Sequence, residues 1–274
     1  MPYLTEPEPT RGVAMTMLPG IRRITAQNPT PMTLHGTNTY LVDDADGTVV
    51  IDPGPDDMDH VDAIMAAADK TIVLILLTHA HPDHVGAVRE LKTRTGAPVA
   101  SFRTSADPEH RPDIALDDGS AIGALTAVHT PGHAPDHLCF ARQDGLLFTG
   151  DHVMAWCSSV VPPPPRGNMA AFFASLQRLI ARDDRIYLPG HGPMLPDPRP
   201  YVRELLARRM AREAEIESAV RDGLSDPVAI ASTLYNKSNP VLRRAAERNV
   251  LAHLSKLVAE GRVSEPEAGR YVAR

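Results

Sequence analysis

Two cysteines, Cys139 and Cys157, are all that 274 residues contain. A chain this long with so few is not held together by a disulfide framework, and nothing in the sequence argues for pairing these two. Cys139 lies inside the apolar run His137-Leu138-Cys139-Phe140-Ala141 and reads as a buried structural thiol. Cys157 follows Asp151 by a few residues, beside the single tryptophan, Trp156, and both are candidate pocket-lining residues. Long apolar runs are also missing: none approaches the ~20 residues that a spanning helix needs, so no membrane is expected among the partners. The N-terminus is acidic and proline-rich, the opposite of a presequence, which points to the cytoplasm. Runs of lysine or arginine are absent too. The nearest approaches, Arg208-Arg209-Arg212 and Arg243-Arg244, fall on helical patterns where solvated faces are the ordinary explanation, and this counts against a polyanion as the main partner. Residues 1–196 carry a net charge of −9 and residues 197–274 a net of +3, within an overall −6. At 43% hydrophobic and 23% charged, the composition is that of a folded globular chain, long enough for one large domain and a small one.

What the chain does have is a concentrated set of metal-ligand side chains. The apolar run Thr71-Ile72-Val73-Leu74-Ile75-Leu76-Leu77 reads as a buried strand, and it leads directly into Thr78-His79-Ala80-His81-Pro82-Asp83-His84. His79 and His81 alternate on extended backbone and can lean the same way. Asp83 and His84 belong to the start of the next helix and face a neighbouring position. This spacing suits two metals. Four side chains cannot fill two coordination spheres and leave each open for water, so further ligands are expected downstream. His133 in Thr130-Pro131-Gly132-His133, Asp151 in Thr149-Gly150-Asp151 and His191 in Pro189-Gly190-His191 each follow a short apolar segment and sit beside glycine. Asp136, His137 and His152 are left with hydrogen-bonding or turn roles. Asp52 closes the strand over 48–52 at Asp52-Pro53-Gly54 and is a candidate hydrogen-bond partner for a ligating imidazole.

The pattern along the chain alternates strands and helices. Short strands are expected over 13–15, 21–26, 37–42 and 48–52, with a hairpin at 43–47, and a helix over 58–68 with Val61, Ile64, Met65 and Ala68 at helical spacing. A helix over 85–95, a strand over 98–102 and an aperiodic loop over 103–119 follow. Next come strands over 125–129, 137–142 and 146–149, a stiff loop around Pro162 to Pro165, a helix over 169–181 and a strand over 185–188. After the proline cluster at 196–200 the pattern changes to helices over 201–221, 226–234 and 241–260, then a small hairpin. On the first of these helices Val202, Leu205, Leu206, Met210, Ile216 and Val220 form one side.

The HxHxDH run, followed in order by a distant His, an Asp and a final His, resembles the metallo-beta-lactamase superfamily. With Gly36-Thr37-Asn38-Thr39-Tyr40-Leu41-Val42, Gly190-His191-Gly192-Pro193 and the helical tail, it is similar to the beta-lactamase-like protein 2 family within it. The resemblance implies an α/β (α+β) chain: an αββα metallo-beta-lactamase sandwich over 1–196, and a small winged-helix domain over 197–274. It also implies two zinc ions per chain. His79, His81 and His133 would hold one, Asp83, His84 and His191 the other, and Asp151 would bridge them. Zinc is preferred to iron because imidazoles dominate and His81 stands where related di-iron proteins carry an acid. The expected activity is hydrolysis of an ester, thioester, lactone or related small carbonyl substrate by a hydroxide shared between the zinc ions, with Asp83 also accepting its proton as the catalytic residue. Endoribonuclease action on single-stranded RNA is the alternative, and beta-lactam hydrolysis a further one. A small molecule is thus the main expected partner, with RNA second. The tail is read as a pocket wall or a homodimer surface rather than a DNA reader.

Overall fold

A computed structural model describes residues 3–107, 110–235 and 238–274. Met1 and Pro2, at the start of the acidic N-terminal run, and Pro108 and Glu109, within the 103–119 segment, lie outside the described residues. So do Asn236 and Lys237.

Seven strands form the first sheet in chain order: β1 (Ala14–Leu18), β2 (Ile21–Thr25), β3 (Asn38–Asp43), β4 (Thr48–Ile51), β5 (Ile72–Leu76), β6 (Val99–Phe102) and β7 (Ile114–Leu116). β1 to β4 pair antiparallel. β4 to β7 pair parallel, which requires crossovers. Helix α1 (Met58–Ala67) makes the first crossover, and the short α2 (Pro82–Val85) with α3 (Val88–Thr95) makes the second. The second sheet contains β8 (Ala121–Ile122), β9 (Leu125–His129), β10 (Leu138–Arg142), β11 (Leu146–Gly150), β12 (Ile186–Pro189) and β13 (Leu195–Pro196), in the order β13-β12-β11-β10-β9-β8. Its parallel pair, β11 and β12, is bridged by α4 (Met169–Ala181).

Side-chain alternation decides what each sheet face meets. Tyr40, Val42, Leu74 and Leu76 point inward and pack against Leu138, Phe140, Leu146 and Phe148 of the other sheet. The intervening Leu41, Val50 and Ile75 point outward to Val61 and Ile64 of α1 and Leu91 of α3. Likewise Cys139 and Leu147 meet Phe172, Leu176 and Leu179 of α4. Each sheet is apolar on both faces, so helices must cover the outer ones, and the αββα sandwich follows. Both cysteines are free, and burial pushes the Cys139 thiol up to about 12, in keeping with a packing role.

The C-terminal region contains α5 (Pro198–Arg221), α6 (Pro227–Leu234), α7 (Pro240–Ala259) and the hairpin of β14 (Val263–Glu267) and β15 (Arg270–Ala273). α5 serves two cores. Tyr201, Val202 and Leu205 pack under the second sheet, while Ile216, Ala219 and Val220 join Ile230, Val250, Leu254, Val263 and Tyr271 in a separate one.

Several details depart from the sequence reading, among them the short strands β8 and β13 and the start of α5 at Pro198, inside the proline cluster. The helix expected over 85–95 begins at Val88, and Asp83 and His84 sit in α2 instead. The nearby loop takes the backbone groups that a continuous helix would use: Gly54 N donates to His84 O at 3.2 Å and Ala87 N to Gly54 O at 3.1 Å. The 103–119 segment contains β7, three residues whose apolar signal is too short to register beside Pro112 and Asp113. Met210 is 55% exposed and lies off the buried face of α5. That face instead runs through two charged residues, Arg209 and Glu213, which hydropathy alone assigns to solvent.

Candidate metal centre

The metal-ligand candidates converge because strand ends of both sheets meet at one edge of the sandwich. β5 delivers His79 and His81, the turn after β9 delivers His133, β11 delivers Asp151, and β12 delivers His191. The structure brings together all seven: ligand atoms of His79, His81 and His133 lie within 4.8 Å of one another, as do those of His79, His84 and Asp151 and those of Asp83, His84 and His191. Glycine permits the approach. A Cβ at Gly190 would stand 2.8 Å from both Asp151 Oδ1 and His84 Cε1, in space that the two side chains already fill.

Hydrogen bonds on the outer side of four rings fix which nitrogen faces inward. His84 Nδ1 donates to Asp52 Oδ2 at 2.9 Å, His133 Nδ1 to the Val160 carbonyl at 2.7 Å, and His191 Nδ1 to the Gly36 carbonyl at 3.2 Å. Thr78 gives its hydroxyl proton to Asp52 Oδ2, so Thr78 Oγ1 accepts from His79 Nδ1 at 3.0 Å. The Nε2 atoms of these four rings are thereby the ones turned toward the centre, each a lone pair when its ring is neutral. His79 Nε2 and His133 Nε2 lie 2.8 and 2.9 Å from the same atom, His81 Nδ1, which has at most one proton to share between them. His84 Nε2 and Asp151 Oδ1 are buried with no hydrogen-bond partner among the described residues. Nitrogen and oxygen ligand atoms converging this closely, two of them buried without a hydrogen-bond partner among the described residues, fit divalent cations. Asp151 stands between the two halves, 3.6 Å from His133 Nε2 and 3.3 Å from His191 Nε2. The Asp83 side chain, 32% exposed, lies at the open side of the group.

Without a cation these groups hold one another's charge. Burial alone would drive His84 and His191 neutral, but the carboxylates beside them win: His84 is held well above the ordinary histidine value by Asp83, Asp151 and Asp52, and His191 is raised to about 9, chiefly by Asp151. Burial likewise opposes ionisation of Asp83 and Asp151, and the imidazoles of His84 and His191 hold both below the usual carboxylate range. Other histidines go the opposite way. Burial lowers His81 and His152 to about 3 and His60 to about 4. The unfolded chain accepts protons on these three below its own pKa of about 6.5, and the fold refuses them until pH 3 to 4. Their effect is a loss of stability as pH falls through that window, on the order of 2 kcal/mol per group between pH 6.5 and 5. The His191 contribution has the reverse sign. It is fully present below about 6.5 and is lost as pH rises through about 9. Urea unfolding of the metal-free protein should therefore give its highest midpoint near neutrality, with a steep fall by pH 5; equal midpoints at pH 5 and 7.5 would refute this balance.

Of the remaining sequence candidates, Asp52 accepts from His84 and from the Thr78 backbone amide, at 2.8 Å for the latter. The Trp156 ring lies against Gly192, next to His191, and a Cβ at Gly192 would meet ring carbon Cδ1 at 2.4 Å. Cys157 is partly buried in the same stretch, and its thiol is pushed up by burial and by Asp151. His137 is hydrogen-bonded: its Nε2 accepts from Asp151 N at 3.2 Å, and its ring stacks on His79 with centroids 5.1 Å apart. Asp136 accepts from Ala106 N at 2.8 Å. His152 is buried with neither ring nitrogen partnered among the described residues. Sequence reasoning missed Thr78 and Asn38. The Asn38 amide donates to the carbonyls of Pro189 and Gly192 at 3.1 and 2.9 Å, clamping the turn that carries His191. An asparagine opening a strand of otherwise buried pattern was the available signal.

This sandwich, with candidate ligand side chains gathered at its strand ends, is the architecture of a hydrolytic superfamily, and comparison with known proteins agrees: residues 32–191 match the metallo-beta-lactamase superfamily. The chain belongs to that superfamily. Residues 227–270 match the beta-lactamase associated winged helix domain. Over nearly its whole length the chain is similar to the beta-lactamase-like protein 2 homolog of Drosophila melanogaster, at 28% identity across 91% of this chain and 94% of that one. An atrochrysone carboxyl ACP thioesterase of Aspergillus chevalieri is 32% identical across 78% of this chain and 72% of its own. The crystal structure of a beta-lactamase domain protein from Burkholderia ambifaria has the same fold, with a TM-score of 0.84, 23% identity and coverage of 97% and 95% of the two chains. No helix among the described residues is long and apolar enough to cross a membrane.

Proposed function

We propose that the chain is a two-metal hydrolase of a small activated carbonyl substrate, with thioesters ahead of esters and lactones. The observation that carries this reading is the pair of adjacent triads, His79/His81/His133 and Asp83/His84/His191, with the Asp151 carboxylate between them. Zinc suits a donor set of five imidazoles and two carboxylates. When bound, two such cations polarise a carbonyl oxygen and make an attacking water acidic at neutral pH.

The chain's own residues do the rest. Asp52, Val160 and Gly36 orient three of the imidazoles through their Nδ1 protons. Asp83 is held ionised at the open side, where one of its carboxylate oxygens can take the proton of the attacking water and return it to the leaving sulfur. The preference for thioesters draws support from the Aspergillus relative, which is named for one. The net −9 of residues 1–196 favours a small substrate over a polyanion.

The test is a parallel assay of the zinc-loaded protein on an acyl thioester, a lactone, a cephalosporin and single-stranded RNA, each repeated after chelation. Thioester turnover that chelation abolishes and zinc restores is the expected result. Metal-dependent cleavage of RNA with the thioester untouched would replace this reading by the nuclease one.

A further inference from the structure

The C-terminal helices reach the metal centre without contributing a ligand to it. Arg209, in the middle of α5, is buried, and among the described residues no carboxylate lies within ion-pair distance of it. A buried cation without an anion is costly, so its hydrogen bonds must account for its place. Two of its three guanidinium nitrogens are used: one donates to the Ser159 carbonyl, and a second donates at 3.0 Å to Asn249 Oδ1 on α7. The same Asn249 oxygen accepts from Val161 N at 2.9 Å, and its amide is fixed by the Ala245 carbonyl at 3.1 Å. The guanidinium also lies over the Phe172 ring, 5.4 Å from its centroid. Arg209 and Asn249 thus grip the backbone on either side of Val160.

That three-residue segment touches His133 of one triad and the backbone of Asp151, which stands between the two. The Val160 carbonyl receives the Nδ1 proton of His133 at 2.7 Å, the bond that turns His133 Nε2 inward. Ser159 donates its hydroxyl to the Asp151 carbonyl, and the same oxygen lies 3.1 Å from the His152 carbonyl. A neighbouring stretch contains four prolines in a row, Pro162 to Pro165, with no regular secondary structure to pin it. Lateral hydrogen bonds have to do so instead.

We propose that Arg209 and Asn249 are positioning residues for His133 and Asp151, and that the C-terminal region serves the metal centre by holding the 159–161 backbone in place. The metal half of this inference rests on the reading of His133 and Asp151 as ligands; the positional half does not. Two measurements on the full-length protein separate them. In metal-free protein with ¹⁵N-labelled histidine, His133 should be a single Nδ1–H tautomer. Arg209→Met and Asn249→Ala should turn it into a mixture, and Arg209→Lys, which keeps a donor for the Ser159 carbonyl, should restore most of it. In Co²⁺ titrations followed by absorbance, the first two variants should weaken binding by about 10- to 100-fold, most at the equivalent that His133 would hold and less at the other, which shares only Asp151 with it; this is the range seen when a ligand's hydrogen-bond partner is removed. An unchanged tautomer in both variants overturns the proposal, as does an unchanged Co²⁺ titration. Wild-type protein that binds no Co²⁺ at all overturns the metal reading, and the tautomer then decides the positional claim alone. Should Arg209→Met fail to fold by circular dichroism, Ser159→Ala, which removes one hydroxyl, is expected to weaken Co²⁺ binding through Asp151, and full affinity there counts against the proposal.

Discussion

Replacing Asp83 by asparagine is expected to lower thioester turnover by about a thousandfold or more in a protein that still folds, because it removes both a ligand and a proton acceptor. Positioned general acid–base groups contribute about 10²- to 10⁴-fold, and the lost ligand bond adds to that. The fold should survive because the side chain is one-third exposed and α2 is held from outside the cluster, by the Gly54 contacts to His84 O and Ala87 N. The metal-free variant should nevertheless be somewhat less stable. Asp83 stands 3.3 Å from His191 Nε2 and 3.7 Å from His84 Nε2, and its folded pKa is depressed, so its ionised form stabilises the fold above its unfolded pKa of about 4. The amide cannot replace that charge, and His191 should titrate lower in consequence. Steady-state rates have to be measured alongside bound metal. Activity within tenfold of wild type at full occupancy would remove Asp83 from the chemistry.

Much of this centre was legible in the sequence because each ligand candidate announces itself locally. His79 to His84 crowd one loop, and His133, Asp151 and His191 each follow an apolar strand and a glycine that lets backbone come close. The strands were legible for a related reason: short apolar runs such as Tyr40-Leu41-Val42 and Leu146-Leu147-Phe148, bounded by turn residues, are a local property, although assigning them to two stacked sheets needed the family resemblance. What stayed hidden is what depends on distant pairing. Thr78 looks like a strand end until Asp52 lies across from it. Arg209 and Glu213 look like a solvated helix face until α7 supplies Asn249 for one and His253 and Lys256 for the other. Met210, one residue from Arg209, shows the consequence, since hydropathy puts the apolar residue inside and tertiary hydrogen bonding puts the charged one there. β7 is hidden by brevity, its three residues becoming a strand only because β6 offers an edge.

Stripping the metals should abolish activity and lower the melting temperature by roughly 10 °C or more, and the two effects should reverse together as two equivalents of zinc are returned. Metal bound only by the folded chain stabilises it by about 4 kcal/mol per site at a thousandfold excess over Kd, and a chain of this size shifts by about 2–4 °C per kcal/mol. A second signature comes from the protons. Near pH 7.5 the metal-free protein carries a proton on His191, raised to about 9, and on His84, held above its ordinary value by three carboxylates. A cation taking the Nε2 atoms must displace those protons, so binding should release protons and tighten as pH rises. His79 and His81 add nothing to this release, because burial already keeps them neutral. Calorimetric titration of zinc in two buffers of different ionisation enthalpy reads the release directly. Identical heats in both buffers, with no thermal shift, would mean that the converging side chains form a charge network of their own and not a metal centre.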